Sequence, residues 1–218
     1  MPAYSRLSRS ALLALAVPLI DAARRQRSED LVVQAADTAE LARLELEAAL
    51  RGRRSAGLGL SAAVAAALAA EESLDRRIGA LHRALDGLAD LGDGPAEDLR
   101  DLLFPAGPRA LTRAVGRAQV PEYTLLADGL AAESAHPALA RLDPYPSALR
   151  ADLLAFIAAL SEKDGARDEA RGAVLGLGEA GEALRAALQQ LDRAVELVCG
   201  GVGSGGYRAW AGVSGGLG

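Results

Sequence analysis

The chain has 218 residues and a formal net charge of −5 at pH 7. Alanine and leucine, both strong helix formers, supply 49 and 38 of these residues, whereas valine and isoleucine together supply only 14 and threonine three. This composition predicts an all-α protein and excludes a β-sheet of ordinary size. The acidic charge balance offers no overall attraction to nucleic acid or to an anionic membrane.

The arginine and cysteine contents indicate the kind of source organism and the cellular compartment of the protein. Of the 24 basic residues 23 are arginine and Lys163 is the only lysine, which is typical of a bacterial genome rich in G and C. The single Cys199 cannot form an intramolecular disulfide or a zinc site that needs two or more thiolates. We therefore expect a bacterial, cytoplasmic protein.

The N-terminal segment shares one feature with secretory signal peptides. Arg6 and Arg9 precede the apolar run at residues 11–20. Asp21 closes this run and would occupy a cleavage-site position that requires a small residue, so export is an alternative to the cytoplasmic location. No run of 18 consecutive apolar residues of membrane-spanning character occurs, so we expect no transmembrane segment.

The first helical segment is predicted over residues 8–51, with a bend at Pro18 or in residues 25–30. Residues 51–55, Arg-Gly-Arg-Arg-Ser, are predicted to form the first turn. Steps of four and three residues place a seam with a polar middle along this segment. Its members are Leu13, Val17, Ile20, Arg24, Arg27, Leu31, Gln34, Thr38, Leu41 and Glu45.

A second seam follows the predicted turn in the same four-three steps and indicates a second long helix. Gly92 and Pro95 lie in the run that ends it. The seam consists of Leu60, Val64, Ala67, Glu71, Leu74, Ile78, Leu81, Leu85 and Leu88.

Prolines divide the third helical region, because six of the nine fall between residues 105 and 146. Short helices are predicted near residues 96–103, 109–119 and 122–135, followed by a turn at residues 143–146. The third layer of the fold is therefore expected to be segmented.

The last helix is predicted over residues 149–198, because its heptad phase does not slip over fifty residues. Glycines at 165, 172, 176, 178 and 181 weaken this prediction, since each costs about 1 kcal/mol relative to alanine in a helix interior. A break near Gly165 is the alternative. The complete fold prediction is an elongated up-and-down four-helix bundle with coiled-coil-like seams over residues 1–199.

Residues 200–218 form a separate Gly-rich tail, in which nine of 19 residues are glycine. The tail contains Tyr207, Arg208 and the only tryptophan, Trp210. Two readings stay open: these side chains anchor the tail on a partner or a neighbouring subunit, or the tail is disordered and solubilising.

Charged side chains on the seams predict a polar layer inside the bundle, since a charge at a packed position needs a partner. Folding the first two helices back at residues 51–59 would bring Arg24 and Arg27 to the level of His82 and Asp86. Such a layer either fixes the helix register or binds an anionic ligand. Its further candidate members are Glu71, Lys163 and Arg167.

The segment from Leu81 to Gly87, Leu-His-Arg-Ala-Leu-Asp-Gly, loosely resembles the phosphorylated-histidine motif of histidine phosphotransfer domains, which are four-helix bundles. The resemblance implies that His82 accepts a phosphoryl group. The family has Lys and Gly three and four residues after the histidine, where this chain has Leu85 and Asp86. The simpler reading pairs His82 with Asp86 at the i, i+4 spacing.

Other chemical motifs are weak. Glu133 and His136 have the Glu-x-x-His spacing of di-iron bundles, but His82 lacks the second glutamate and Pro137 places His136 at a helix end. Cys199 lies at a helix C-terminus, where the dipole disfavours a thiolate. The arginine clusters at residues 24–27 and 51–54 lack interleaved aromatics. No catalytic residue, metal or cofactor and no nucleic-acid partner is predicted.

The sequence therefore predicts a non-enzymatic helical scaffold, adaptor or assembly subunit. It would act through association with another protein or, as a homo-oligomer, with copies of itself. The alternative is a phosphate- or ligand-handling four-helix bundle that uses His82.

Overall fold

The computed structural model describes residues 4–25, 30–113, 115–201 and 212, and these residues contain helices and no strand. The all-α prediction is thus confirmed. The helices are α1 (Arg9–Arg25), α2 (Asp30–Asp90), α3 (Gly94–Leu103), α4 (Pro108–Leu111), α5 (Val120–Ala132), α6 (Pro137–Ala140) and α7 (Tyr145–Val198). Single 3-10 turns occupy Tyr4–Arg6 and Gly116–Gln119.

The predicted turn at residues 51–55 is wrong, because α2 runs through it as one helix of 61 residues. Gly52, Gly57 and Gly59 lie inside this helix, which contains no proline. Glycine in a helix interior costs only about 1 kcal/mol, and the alanine, leucine and arginine around these glycines are strong helix formers. The local glycine and arginine signal is therefore not a helix stop.

The first predicted helix is also divided differently. It ends at Arg25, in the segment where a bend was expected, and Pro18 lies inside α1 without ending it. The predicted seam of this region has the wrong register, since Val17 and Leu41 are exposed whereas Leu19 and Ala39 are fully buried. A seam traced through residues 25–30 assumes one unbroken helix, but Arg24 pairs with Asp37 at 3.0 Å, which residues 13 positions apart on one straight helix cannot do.

Helix α7 is continuous over 54 residues, so the predicted last helix is confirmed and no break occurs at Gly165. Within the predicted seam the two ends are buried and the charged middle is not: Lys163 is half-buried and Arg167 exposed. The buried seam positions of α7 are Leu149, Leu153, Phe156, Leu160, Leu177, Leu184, Leu188, Leu191 and Val195.

The third region is segmented, as predicted, but less helical in its middle. Only Pro108–Leu111 forms an α-helix within the predicted helix at residues 109–119. Val115 is extended and Gly116 has a φ of 65°, a left-handed value that glycine adopts without strain. Helix α4 thus ends at Leu111, and the 3-10 turn at Gly116–Gln119 follows the extended Val115.

The chain divides into two compact units, one formed by residues 1–57 and 169–218 and the other by residues 58–168. The core of the first unit joins α1 to parts of α2 and α7 and is rich in small side chains. Seven of its 19 buried apolar residues are alanine, and helices with alanine at the contact can approach closely. They are Ala16, Ala23, Ala36, Ala39, Ala42, Ala187 and Ala194.

The core of the second unit is built from larger side chains. Only three of its 19 buried apolar residues are alanine, and Phe104, Tyr123 and Phe156 belong to it. The rings of Tyr123 and Phe156 meet edge to face, with centroids 6.2 Å apart. Its described residues also include the ion pairs of Asp86 and Arg100.

Candidate functional site

The predicted pairing of Arg24 with Asp86 is wrong. Arg24 forms an ion pair of 3.0 Å with Asp37 in the first unit, whereas Asp86 finds its partners in the second. The predicted layer required a turn at residues 51–55, which α2 does not make. Arg27 lies outside the described residues.

His82 and Asp86 do pair, as the i, i+4 spacing predicted, with 2.9 Å between Nδ1 and a carboxylate oxygen. The other carboxylate oxygen of Asp86 accepts a hydrogen bond of 3.2 Å from Arg100. The edge of the His82 ring meets Phe104, with centroids 5.0 Å apart. The histidine is thus held in place by a carboxylate and an aromatic ring.

Carboxylates surround the guanidinium of Arg100. Besides Asp86 it contacts Asp101 at 2.9 Å and Glu97 at 3.6 Å. The hydrogen bond to Asp101, with a smaller contribution from Asp86, raises the pKa of Arg100 above its usual value. Three acidic groups around one cation make this surface unfavourable for a phosphate, which would be repelled by the carboxylates.

A buried polar cluster in the same unit was not predicted from the sequence. The Tyr123 hydroxyl donates a hydrogen bond to Asp75, and the backbone N–H of Gly116 donates one of 2.9 Å to Glu71. Gln119, only 1% exposed, lies near the Tyr123 hydroxyl, and its Oε1 has no partner among the described residues. Glu71 and Asp75 share a helix face, but their partners are 45 and 48 residues away in the sequence. No local pattern could have indicated them.

The environment of Tyr123 keeps its phenol protonated. Burial is the largest cause that raises the pKa of Tyr123 above its ordinary value, and the hydrogen bond to the Asp75 carboxylate adds to it. A buried phenol that cannot ionise serves as a hydrogen-bond donor, and it satisfies a carboxylate that would otherwise be costly to bury.

Replacing Tyr123 by phenylalanine is expected to lower the free energy of unfolding by about 2 kcal/mol at pH 7, because Asp75 loses its donor. Above pH ~10 the unfolded phenol ionises while the folded one does not, so wild-type stability falls by up to about 1.4 kcal/mol per pH unit. The difference between the two proteins should therefore shrink as the pH rises. Urea unfolding at neutral and alkaline pH measures both effects.

Tyr145→Phe is the matched control for this prediction, since Tyr145 is only half-buried. We expect it to change the unfolding free energy by less than about 0.5 kcal/mol at either pH. A Tyr123→Phe difference that stayed constant up to high pH would contradict the argument.

Several concave surfaces occur among the described residues of the second unit. A cleft of about 430 Å³ is lined by Ser73, Arg76, Arg77 and Tyr145, and Arg77 is ion-paired with Asp152 at its edge. An apolar groove of about 390 Å³ lies between α3 and α5, where Leu102 and Leu125 are exposed.

The metal candidates of the sequence lie at a helix end. His136 accepts a hydrogen bond of 3.3 Å from the N–H of Ala138 and caps α6, while Glu133 follows the last residue of α5. Among the described residues no group of three or more His, Cys, Asp or Glu could hold a metal ion. Cys199 is half-buried, and Tyr207, Arg208 and Trp210 lie outside the described residues.

The middle of α2 exposes an apolar surface. No charged residue occurs from Ser55 to Ala70, a run of 16 residues between Arg54 and Glu71. Within this run Leu58 is 69% exposed and Leu68 is 53% exposed. Contiguous apolar surface of this kind marks an interaction site more often than a free surface.

Helix α2 also has the length and composition of a membrane-spanning helix. One window of 18 residues has a mean hydropathy of 1.3, and 11% of that window is buried. Core helices of soluble proteins and signal sequences share these properties, so they do not by themselves assign a membrane span.

The described polar candidates of each unit are thus engaged mainly with other groups of that same unit, whereas the run at residues 55–70 of α2 leaves large apolar side chains exposed. No protein-family model matches this chain, and neither a curated protein nor a solved structure matches it.

Proposed function

We propose that this chain is a non-enzymatic assembly subunit or scaffold that associates with copies of itself through the apolar middle of α2. The observation that carries the proposal is the uncharged run at residues 55–70, with Leu58 and Leu68 exposed. Burial of one leucine side chain stabilises a complex by about 1.5–3 kcal/mol, so a dimer that buried both in each copy would gain considerably.

The distribution of charge along α2 supports this proposal. Before the run, Arg43 lies between Glu40 and Glu47 and forms ion pairs with both. After the run, Asp75 and Arg77 bond to other helices of their unit. A solvated helix surface carries charges throughout its length, whereas the core of a protein interface is depleted of them.

The proposal keeps the coiled-coil-like pairing of helices but places it between two copies of the chain. The up-and-down bundle of four helices depended on a turn that α2 does not make. Helix pairing between two copies needs no such turn, because the exposed side of α2 is already available for a second helix.

The alternative, a phosphate- or ligand-handling bundle, has less support. His82 is paired with Asp86, and the guanidinium of Arg100, which also pairs with Asp86, is shared among three carboxylates. A phosphoryl group on His82 would lie close to Asp86 and would be repelled by it. Incubation with a phosphorylated response regulator, followed by detection of acid-labile phosphate, tests this alternative directly.

The experiment for the proposed function is sedimentation equilibrium of the full chain from low to high micromolar concentration. We expect masses that rise with concentration above the 22.4 kDa of one chain. Leu58→Asp combined with Leu68→Asp should weaken the association by at least about a hundredfold, because four leucines per dimer would lose their burial.

Leu91→Asp is the matched control, since Leu91 is 85% exposed but lies beyond the C-terminal end of α2. It should leave the association unchanged. A wild-type mass of 22.4 kDa at every concentration would overturn the proposed function.

A further inference from the structure

One exposed side of α2 carries a charged residue at each end and small or apolar residues between them. Steps of four and three residues from Arg54 lead along a single face of the helix. All six residues of this face are exposed. We call it the 54–72 face; it consists of Arg54, Leu58, Ser61, Ala65, Leu68 and Glu72.

The 54–72 face lies away from the core. Ala67, Leu74 and Ile78 are buried in the second unit. At 100° per residue, Ala67 and Leu74 lie roughly 140–160° around the helix from the centre of the 54–72 face, and Ile78 lies about 120° from it. All six positions belong to the single helix α2, so their common direction follows from helix geometry alone.

The order of residues on this face is complementary to itself when reversed. In an antiparallel pair of identical helices related by a two-fold axis, residues whose numbers have a constant sum lie opposite each other. With the axis at residue 63, Arg54 lies opposite Glu72 of the second copy. Leu58 then lies opposite Leu68, and Ser61 opposite Ala65.

We propose that two copies of this chain associate through antiparallel contact of their 54–72 faces, with the two-fold axis at residue 63. This inference rests on the proposed function, since it names the partner and the register of that association. The centre of the contact is apolar and small enough for close approach, and an Arg54–Glu72 ion pair closes each end.

The charges at the two ends identify a second copy as the occupant. Arg54 and Glu72 are 18 residues apart, about 27 Å along one helix, so they cannot pair within a chain. In a parallel pair Arg54 would face Arg54 and Glu72 would face Glu72, which is repulsive at both ends. Only the antiparallel arrangement turns these end charges into attractions.

A lipid bilayer fits this face less well. A helix that spans a membrane needs about 20 apolar residues, and the uncharged run has 16. Arg54 and Glu72 flank the run on the exposed face itself, where entry into hydrocarbon would be costly.

The test is a charge exchange, read as the dissociation constant from sedimentation equilibrium of the full chain. Arg54→Glu or Glu72→Arg alone makes both end pairs repulsive and should weaken the dimer about tenfold. The double variant Arg54→Glu/Glu72→Arg restores opposite charges and should return the constant to within about threefold of wild type. Arg53→Glu is the control, since it makes the same charge change on an exposed residue beside the face and should have little effect.

A cysteine experiment tests the direction of the helices. In a Cys199→Ser background, copies with Leu58→Cys are mixed with copies with Leu68→Cys and oxidised. The antiparallel register predicts a disulfide between positions 58 and 68, because disulfides need Cα atoms within about 7 Å. Position 58 of one copy would lie ten residues, about 15 Å, from position 58 of the other.

The outcomes separate this inference from the proposed function. A dimer whose double charge variant is no better than the single variants, or whose main disulfide joins 58 to 58, overturns the antiparallel register and leaves self-association standing. A monomer at every concentration overturns both. A monomer that binds neutral phosphatidylcholine vesicles, and loses this binding with Leu58→Asp/Leu68→Asp, also overturns both and assigns the face to a membrane.

Discussion

Replacing Phe156 by alanine is expected to lower the free energy of unfolding by about 3–5 kcal/mol. Phe156 is fully buried in the second unit and meets the ring of Tyr123 edge to face. Alanine would leave a cavity in a core built mostly from leucine and would remove the aromatic contact. Urea unfolding followed by circular dichroism measures the loss.

Leu154→Ala is the matched control for this cavity, two residues before Phe156 on the same helix. Leu154 is 60% exposed, so the change should cost less than about 0.5 kcal/mol. Equal losses in the two variants would show that α7 buries a different face from the one described.

Replacing Ala36 by leucine is expected to lower the free energy of unfolding by about 3 kcal/mol. Ala36 is fully buried in the first unit, whose core contains Ala39, Ala42 and four further alanines. The added carbon atoms have no space where helices approach on alanine, so side chains or backbone must shift. Alanine and leucine have similar helix propensity, and the loss therefore measures packing.

Ala48→Leu makes the same exchange at an exposed position of α2 in the same unit. We expect a change within about 0.5 kcal/mol of zero. If Ala36→Leu were equally harmless, the core of the first unit would contain unfilled volume. A second readout, the near-ultraviolet spectrum of the folded variant, would then report whether the aromatic surroundings had moved.

Much of the fold could be predicted because its signals are repeated many times along the chain. The seam of α7 has Leu149, Phe156 and Leu184 in one phase, and no proline interrupts it after residue 146. Summed over fifty residues this pattern outweighs the cost of five glycines. The same holds for the second seam, in which Leu74, Ile78 and Leu81 are fully buried.

The turn at residues 51–55 shows why single signals fail. Gly52 and Ser55 are of residue types common in turns, but each is also tolerated inside a helix. Whether a chain folds back at such a point depends on the surfaces that its flanking helices can bury. That information is spread over α1 and α7 and does not reside in the five residues themselves.

The polar contacts likewise include one that could be predicted from the sequence and one that could not. The pairing of His82 with Asp86 follows from helix periodicity and could be predicted. The bond from Tyr123 to Asp75 joins residues 48 positions apart, and it depends on how α5 packs against α2. Contacts of this kind become visible only when the tertiary structure is known.

The uncharged run of α2 has a consequence for the behaviour of the unassembled chain in solution. Exposed apolar segments in strand form present free backbone N–H and C=O groups and can template irreversible aggregation. In α2 these backbone groups are already bonded within the helix, so only side chains are available for contact. Contacts at this surface therefore involve side chains alone and can stay reversible, as the proposed association between copies would require.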